Sequence, residues 1–243
     1  ITPQIYTILQ TYEQMVEERK VGGIGHKVYP LAGQMLFILI LLTALYLYFY
    51  FFRKEIWGNM RSMAFITLMI VAFAVLAFVA KHTFTYGLYI MPFTIIPIMM
   101  LVYFDSRTAL FSLIIECMIC SGIATNAFEF IFVQFVAGVT AIYSLKELTR
   151  RSQLLRTAFF VFLSYVVSYV AIEVISSGAI EGINPKMFAA LGINAVLISF
   201  AYVLIFVFEK IFGFTSMVTL VELSDINHPV LRELSEKCPG TFQ

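Results

Sequence analysis

Charge is scarce in this chain. Asp, Glu, Lys and Arg make up 13% of its 243 residues, about half the roughly 25% usual in soluble domains. So few charges cannot cover a water-facing surface, and hydrophobic residues reach 60% with a mean hydropathy of +0.90. The composition is that of an integral membrane protein. A net charge of +1 offers no whole-chain attraction to nucleic acid or to an anionic surface, which leaves the distribution of Lys and Arg between loops as the useful signal. Cysteine is nearly absent: Cys117, Cys120 and Cys238 are too few for a disulfide framework, and a structural zinc site generally needs four ligands. Cys117 and Cys120 share a helix face inside an apolar run and read as small packing residues. The histidines, His26, His82 and His228, fall in separate regions. There is no phosphate-cradling GxxxxGK[ST], no HExxH, no GxSxG and no paired CxxC motifs, which removes the strong signatures of soluble enzymes. No cleavable signal peptide precedes the first apolar run.

What the chain has is long apolar runs. A spanning helix needs about 20 mostly apolar residues, and seven stretches qualify: Leu31 to Phe52, Met63 to Ala80, Tyr89 to Phe104, Thr108 to Ala124, Phe128 to Leu145, Thr157 to Ile175 and Phe188 to Phe212. The expected fold is all-α, a polytopic bundle of seven transmembrane helices. The third run is the shortest and holds Pro92 and Pro97. Pro97 lacks the N–H that would bond the Phe93 carbonyl, so a kink is expected there.

Loop charges orient the bundle. With the segment before the first span outside, Arg53, Lys54, Arg61, Arg107, Lys146, Arg150, Arg151, Arg156 and Lys210 all fall inside, and only Lys81 and Lys186 remain in the outer loops. That asymmetry follows the positive-inside rule and predicts an external N-terminus and a cytoplasmic C-terminus. Arg19, Lys20 and Lys27 run against it, but extramembrane domains translocate largely regardless of such charges.

The flanks differ from the bundle. Ile1 to Lys20 reads as an amphipathic water-side helix, with Thr2 as N-cap, Pro3 at its first position and Ile5, Ile8, Leu9, Tyr12, Met15 and Val16 at helical spacing. Gly22, Gly23 and Gly25 then break it. Its apolar stripe is expected to pack on an extramembrane domain preceding it, which assigns residues 1–27 to the end of that domain and its linker, 28–213 to the membrane bundle and 214–243 to a cytoplasmic linker. In that last segment His228 precedes Pro229, and a short helix is expected over Val230 to Lys237 as a connector. His228 there reads as a helix cap rather than a metal ligand.

Ionisable groups inside apolar runs are the first places to look for chemistry. Glu116 lies mid-run in the fourth span and Glu173 in the outer half of the sixth, each without a charged neighbour on its own helix. Together with Pro97 they form the candidate intramembrane site. The functional reading is a proton relay or ligand-binding pair; the architectural one is a neutral carboxyl hydrogen-bonded between helices. Asn126 and Glu129 fall at the outer interface, where solvation accounts for them, and Asp105 with Arg107 reads as a solvated inner end. Ser164 with Ser168, and Ala137 with Ala141, are four apart, a spacing that lets helices approach closely. Tyr46, Tyr48, Tyr50, Phe51, Phe52 and Trp57 form an aromatic belt at the inner end of the first span.

The tail LVELSDINHPVLRELSEKCPGTFQ resembles the stretch that joins the membrane bundle to the catalytic domain in the bacterial seven-transmembrane receptor HD-hydrolase family, the cyclic-di-AMP phosphodiesterases of that type. The opening ITPQIYTILQ is similar to the last helix of that family's extracytoplasmic domain. DSRTAL and VAGVTAIYSLKELTRRSQLLRTA resemble its inner loops and fifth helix, so the likeness covers essentially the whole chain. The resemblance implies a bacterial cytoplasmic (inner) membrane location. It also implies a parent whose HD domain holds a divalent metal pair and hydrolyses the cyclic dinucleotide, while these residues hold neither metal nor cofactor. The expected partners are membrane lipid, the extracytoplasmic and HD domains of the parent and, through a homo-oligomer, a second copy. Asn227, His228 and Pro229 become the candidate coupling linker. The rival reading is an ion or small-molecule transporter or channel built on Glu116, Glu173 and the interrupted third span. An intramembrane enzyme lacks a nucleophile and base at recognisable spacing.

Overall fold

The computed structural model describes residues 11–12, 25–145, 152–178 and 184–214, and every described element is helical. These are α1 (Gly25–Phe52), α2 (Lys54–Trp57), α3 (Met60–Thr83), α4 (Gly87–Ile90), α5 (Ile95–Tyr103), α6 (Ser106–Ser121), α7 (Ala127–Ser144), α8 (Ser152–Ser177), α9 (Pro185–Ser199) and α10 (Ala201–Phe212). The chain divides into two compact units, residues 1–44 and 45–243. In the first, Gly25 opens α1, and the apolar side chains of Leu31, Met35, Leu36, Leu39 and Ile40 are exposed. The amphipathic opening, the Asn227 to Pro229 linker and the Val230 to Lys237 helix lie outside the described residues.

Five helices are long and apolar enough to cross a membrane: Tyr29–Phe52, Met60–Thr83, Ala127–Ser144, Gln153–Ser177 and the joined pair Pro185–Phe212. The other two runs fold into shorter pieces. The third becomes α4 and α5, and α5, with 9 residues, rises only about 14 Å. The fourth is α6, whose 16 residues rise about 24 Å, short of a hydrocarbon core of about 30 Å.

The short helices lie among the long ones. Ile95, Ile96, Pro97, Ile98, Met99, Met100 and Val102 of α5 are all buried, and α5 packs on α3, α6, α7 and α10. Backbone interrupted at membrane depth is tolerated where protein rather than lipid surrounds it. The interruption falls at Met91 to Phe93, before α5, and not at Pro97. Pro97 is the third residue of α5, inside the first turn, where a missing N–H leaves no helical bond unmade. The Phe93 carbonyl is met by Ile96 N at 3.0 Å. The expected kink at Pro97 is therefore replaced by a break one turn earlier.

Side-chain caps set the helix starts: Asn59 accepts from Arg61 N, Asp105 from Thr108 N, Asn126 from Glu129 N and Asn184 from Lys186 N. Two glycines allow close approach. A Cβ on Gly87 would sit 1.8 Å from the Ala80 carbonyl oxygen, and one on Gly138 would sit 2.3 Å from the Leu113 side chain. Ala137 and Ala141 are fully buried on α7, and Thr140 donates to Ser164 of α8 at 3.1 Å, as the four-residue spacing predicts.

Candidate functional site

The turns α3–α4 and α6–α7 meet the end of α8 and the start of α9 around a half-open cavity of about 390 Å³. Its polar lining comes from Lys81, Thr85, Tyr86, Tyr89, Thr125, Asn126, Glu129, Tyr169, Glu173 and Asn184. The Tyr89 hydroxyl donates to Glu129 Oε1 at 2.6 Å. Asn184 fixes two further rings, its backbone N–H reaching the Tyr169 hydroxyl at 3.2 Å and its side-chain amide the Tyr86 hydroxyl at 2.6 Å. Lys81 Nζ donates to Thr125 Oγ1.

Glu173 thus lines a cavity, where the sequence placed it near the outer end of its span. Glu129, read from sequence as merely solvated, faces the same space and is bound by a tyrosine. Glu116 is not among the cavity's lining residues, and neither is Pro97. Glu116 is fully buried on α6, where Cys120 Sγ donates to its Oε1 at 3.2 Å from one turn along the same helix. Among the described residues its Oε2 has no partner, and the one hydrogen bond to its carboxyl stays within α6.

Below the cavity, polar side chains run into the core. Asn194 of α9 donates to the carbonyls of Tyr89 at 2.9 Å and Met91 at 2.7 Å where α4 ends, the Met91 carbonyl accepting from Phe93 N as well. Tyr165 of α8, fully buried, donates to Gln134 of α7 at 2.6 Å. Neither amide was singled out from the sequence, although each sits mid-run in an apolar span, the one signal available for it.

The opposite end is aromatic. The Phe65 ring meets Tyr103, Phe208, Phe212 and Phe214 at centroid distances of 5.3, 5.2, 5.3 and 5.5 Å. Gly213 closes α10 at φ +68°, and the turn lays Phe214 flat against Phe212. The Tyr103 hydroxyl donates to the Ile205 carbonyl of α10 at 2.6 Å. Asp105, read from sequence as a solvated helix end, pairs with Arg53 while capping α6. Trp57 packs edge-on against Tyr46 and Tyr50.

Among the described residues no three His, Cys, Asp or Glu side chains gather to hold a metal ion. Residues 28–216 match the family model for the 7TM receptor with intracellular HD hydrolase. The cyclic-di-AMP phosphodiesterase PgpH of Bacillus subtilis (strain 168) is 24% identical over 226 residues, covering 88% of this chain and 32% of that protein. PgpH of Listeria monocytogenes serotype 1/2a (strain 10403S) is 33% identical over 112 residues, 44% of this chain and 15% of that one. The chain spans about a third or less of the curated relatives it matches. No solved structure matches.

Proposed function

The chain belongs to the family of seven-transmembrane receptors with an intracellular HD hydrolase, and from that membership we propose that it is the transmembrane regulatory module of a cyclic-di-AMP phosphodiesterase. In this reading all seven runs cross the bacterial cytoplasmic membrane. The cavity end faces outward and the aromatic end inward, because among the described residues of the second unit Arg53, Lys54, Arg61, Arg107, Arg156 and Lys210 collect at the aromatic end and only Lys81 and Lys186 at the other. Residues 1–27 lead from an extracytoplasmic domain, and 214–243, with Asn227, His228 and Pro229, lead to the HD domain. Catalysis, the divalent metals and contact with the cyclic dinucleotide belong to that domain. The module itself anchors and regulates, and a second copy is its natural partner in the membrane plane.

One observation supports a coupling role above the others. The interrupted span is tied at both ends to the last span, by Asn194 at the α4 break and by Tyr103 at Ile205. A shift at the cavity therefore has a hydrogen-bonded route to α10 and Phe214, from which the chain continues toward the proposed hydrolase. Regulation of this kind requires two arrangements that a signal tells apart. The test is hydrolysis of cyclic-di-AMP by the full-length protein in lipid nanodiscs against its separately expressed HD domain. Asn194→Ala and Tyr103→Phe should change the rate of the intact protein, and an intact protein indifferent to both would defeat the coupling role.

A further inference from the structure

The cavity between the α3–α4 and α6–α7 turns, the end of α8 and the start of α9 has a lining whose chemistry selects a ligand. Two glutamates and one lysine face it, which leaves one net negative charge. Lys81 is held by Thr125, and among the described residues no ion pair joins it to Glu129 or Glu173. Among the described residues Glu129 spends one oxygen on the Tyr89 hydroxyl and no other partner meets its second, and none meets either carboxylate oxygen of Glu173. The two acids thus present acceptors without a described partner to one half-open cavity.

The remaining walls are tyrosine rings. Tyr86, Tyr89 and Tyr169 each have the hydroxyl committed to a hydrogen bond, so the rings are fixed rather than free to turn away. Ring faces attract organic cations, most strongly where water is displaced. A bare divalent ion fits this lining poorly, since calcium takes six to eight oxygen ligands and a volume of about 390 Å³ far exceeds one ion. An anion would meet the net negative charge with a single lysine already engaged.

We infer that this cavity binds a small organic cation, a protonated amine on a short hydrocarbon body, with the ammonium between Glu129 and Glu173 and the hydrocarbon against the tyrosine rings. The inference deepens the regulatory reading by naming the class of ligand, and it rests on that reading only for the consequence of binding.

The experiment uses the full-length protein in phosphatidylcholine nanodiscs, titrated calorimetrically at pH 7 with n-butylamine, empty nanodiscs supplying the blank. Butyrate and calcium are titrated separately. Saturable butylamine binding is expected, weakened at least about tenfold by Glu173→Gln, the loss of one charge-assisted contact. Lys81→Ala should leave binding intact or tighten it. Glu129→Gln keeps an acceptor for Tyr89, so its weaker binding would report the lost charge rather than a lost fold. Absence of saturable binding overturns the site, as does binding that the glutamine variants leave unchanged, or saturation by butyrate or calcium in place of the amine. Hydrolysis measured on the same samples separates the two claims. Amine binding without any change in rate supports the site and tells against regulation through it, whereas a regulated enzyme that binds no amine overturns the site alone.

Discussion

Asn194 donates its side-chain amide to the Met91 carbonyl at 2.7 Å, and with the second bond to Tyr89 it satisfies the backbone exactly where the third span is interrupted. A break inside a bundle frees carbonyls that have no water to turn to, and α9 supplies the donor instead. Asn194→Ala leaves the Tyr89 carbonyl without this donor, while the Met91 carbonyl keeps the Phe93 N–H at 3.0 Å. The expected cost is about 1–3 kcal/mol of stability, read as a lowered midpoint of thermal unfolding in detergent. Asn194→Gln, which keeps the amide but lengthens the arm, should recover only part of the loss.

Gly87 is required by proximity rather than by its backbone angles. The Ala80 carbonyl oxygen occupies the place of a Cβ, so Gly87→Ala must push α4 off the end of α3, and backbone cannot yield as a side-chain tip does. The yield of folded protein should fall sharply. Gly192→Ala is the control: the Phe162 ring edge lies 4.0 Å from its added methyl, and the better helix propensity of alanine should make the change neutral or stabilising by up to about 1 kcal/mol. Size-exclusion profiles of the two variants decide the matter.

Asp105 serves two partners at once, and two substitutions separate them. Its carboxylate caps α6 through Thr108 N and pairs with Arg53, both side chains being partly exposed. Asp105→Asn keeps the cap and loses the ion pair, at an expected cost of less than about 1 kcal/mol. Asp105→Ala loses the cap too and should cost about 1–2 kcal/mol. Equal losses in denaturation midpoint would show that the cap contributes nothing.

Glu116 carries a buried carboxylate oxygen without a partner among the described residues, and an unmet acceptor of that kind destabilises a fold by about 1–3 kcal/mol. If its role is architectural, Glu116→Leu should raise the unfolding midpoint and leave hydrolysis by the full-length protein unchanged. A more stable protein with altered hydrolysis would instead assign Glu116 a part in function.

The long spans were legible because hydrophobic runs of that length have few alternatives, and α1, α3, α7, α8 and the α9–α10 pair lie where the runs lie. The kink was misplaced because proline chemistry was weighed at Pro97 without knowing where α5 begins. Within a first turn a proline costs nothing, and only tertiary structure says which turn is first. The cavity was half legible. Glu173 stood out as a charge inside an apolar run, whereas Glu129 lies two residues into the helix that Asn126 caps and looked like any solvated helix start. What joins Glu129 to Glu173 is the packing of α7 on α8, a long-range fact that local spacing does not encode.

Tyr103 offers the cleanest test of whether the bundle transmits anything. Its ring packs on Phe65 and Phe214, and its hydroxyl alone reaches the Ile205 carbonyl. Tyr103→Phe therefore keeps the packing and removes one interhelical bond, worth about 0.6 kcal/mol on average between membrane helices. Stability should scarcely change. Coupling is a different quantity: a bond that joins α5 to α10 in only one of two arrangements shifts their balance by its full worth, and substitutions along such connections alter coupling by about 0.5–2 kcal/mol. Hydrolysis by the full-length protein should accordingly change by about twofold or more, against none for Tyr143→Phe, whose ring is exposed on α7. A Tyr103→Phe protein with the rate and the effector response of the parent would mean that α5 and α10 move together through packing alone, and the hydrogen-bonded route would have to be abandoned.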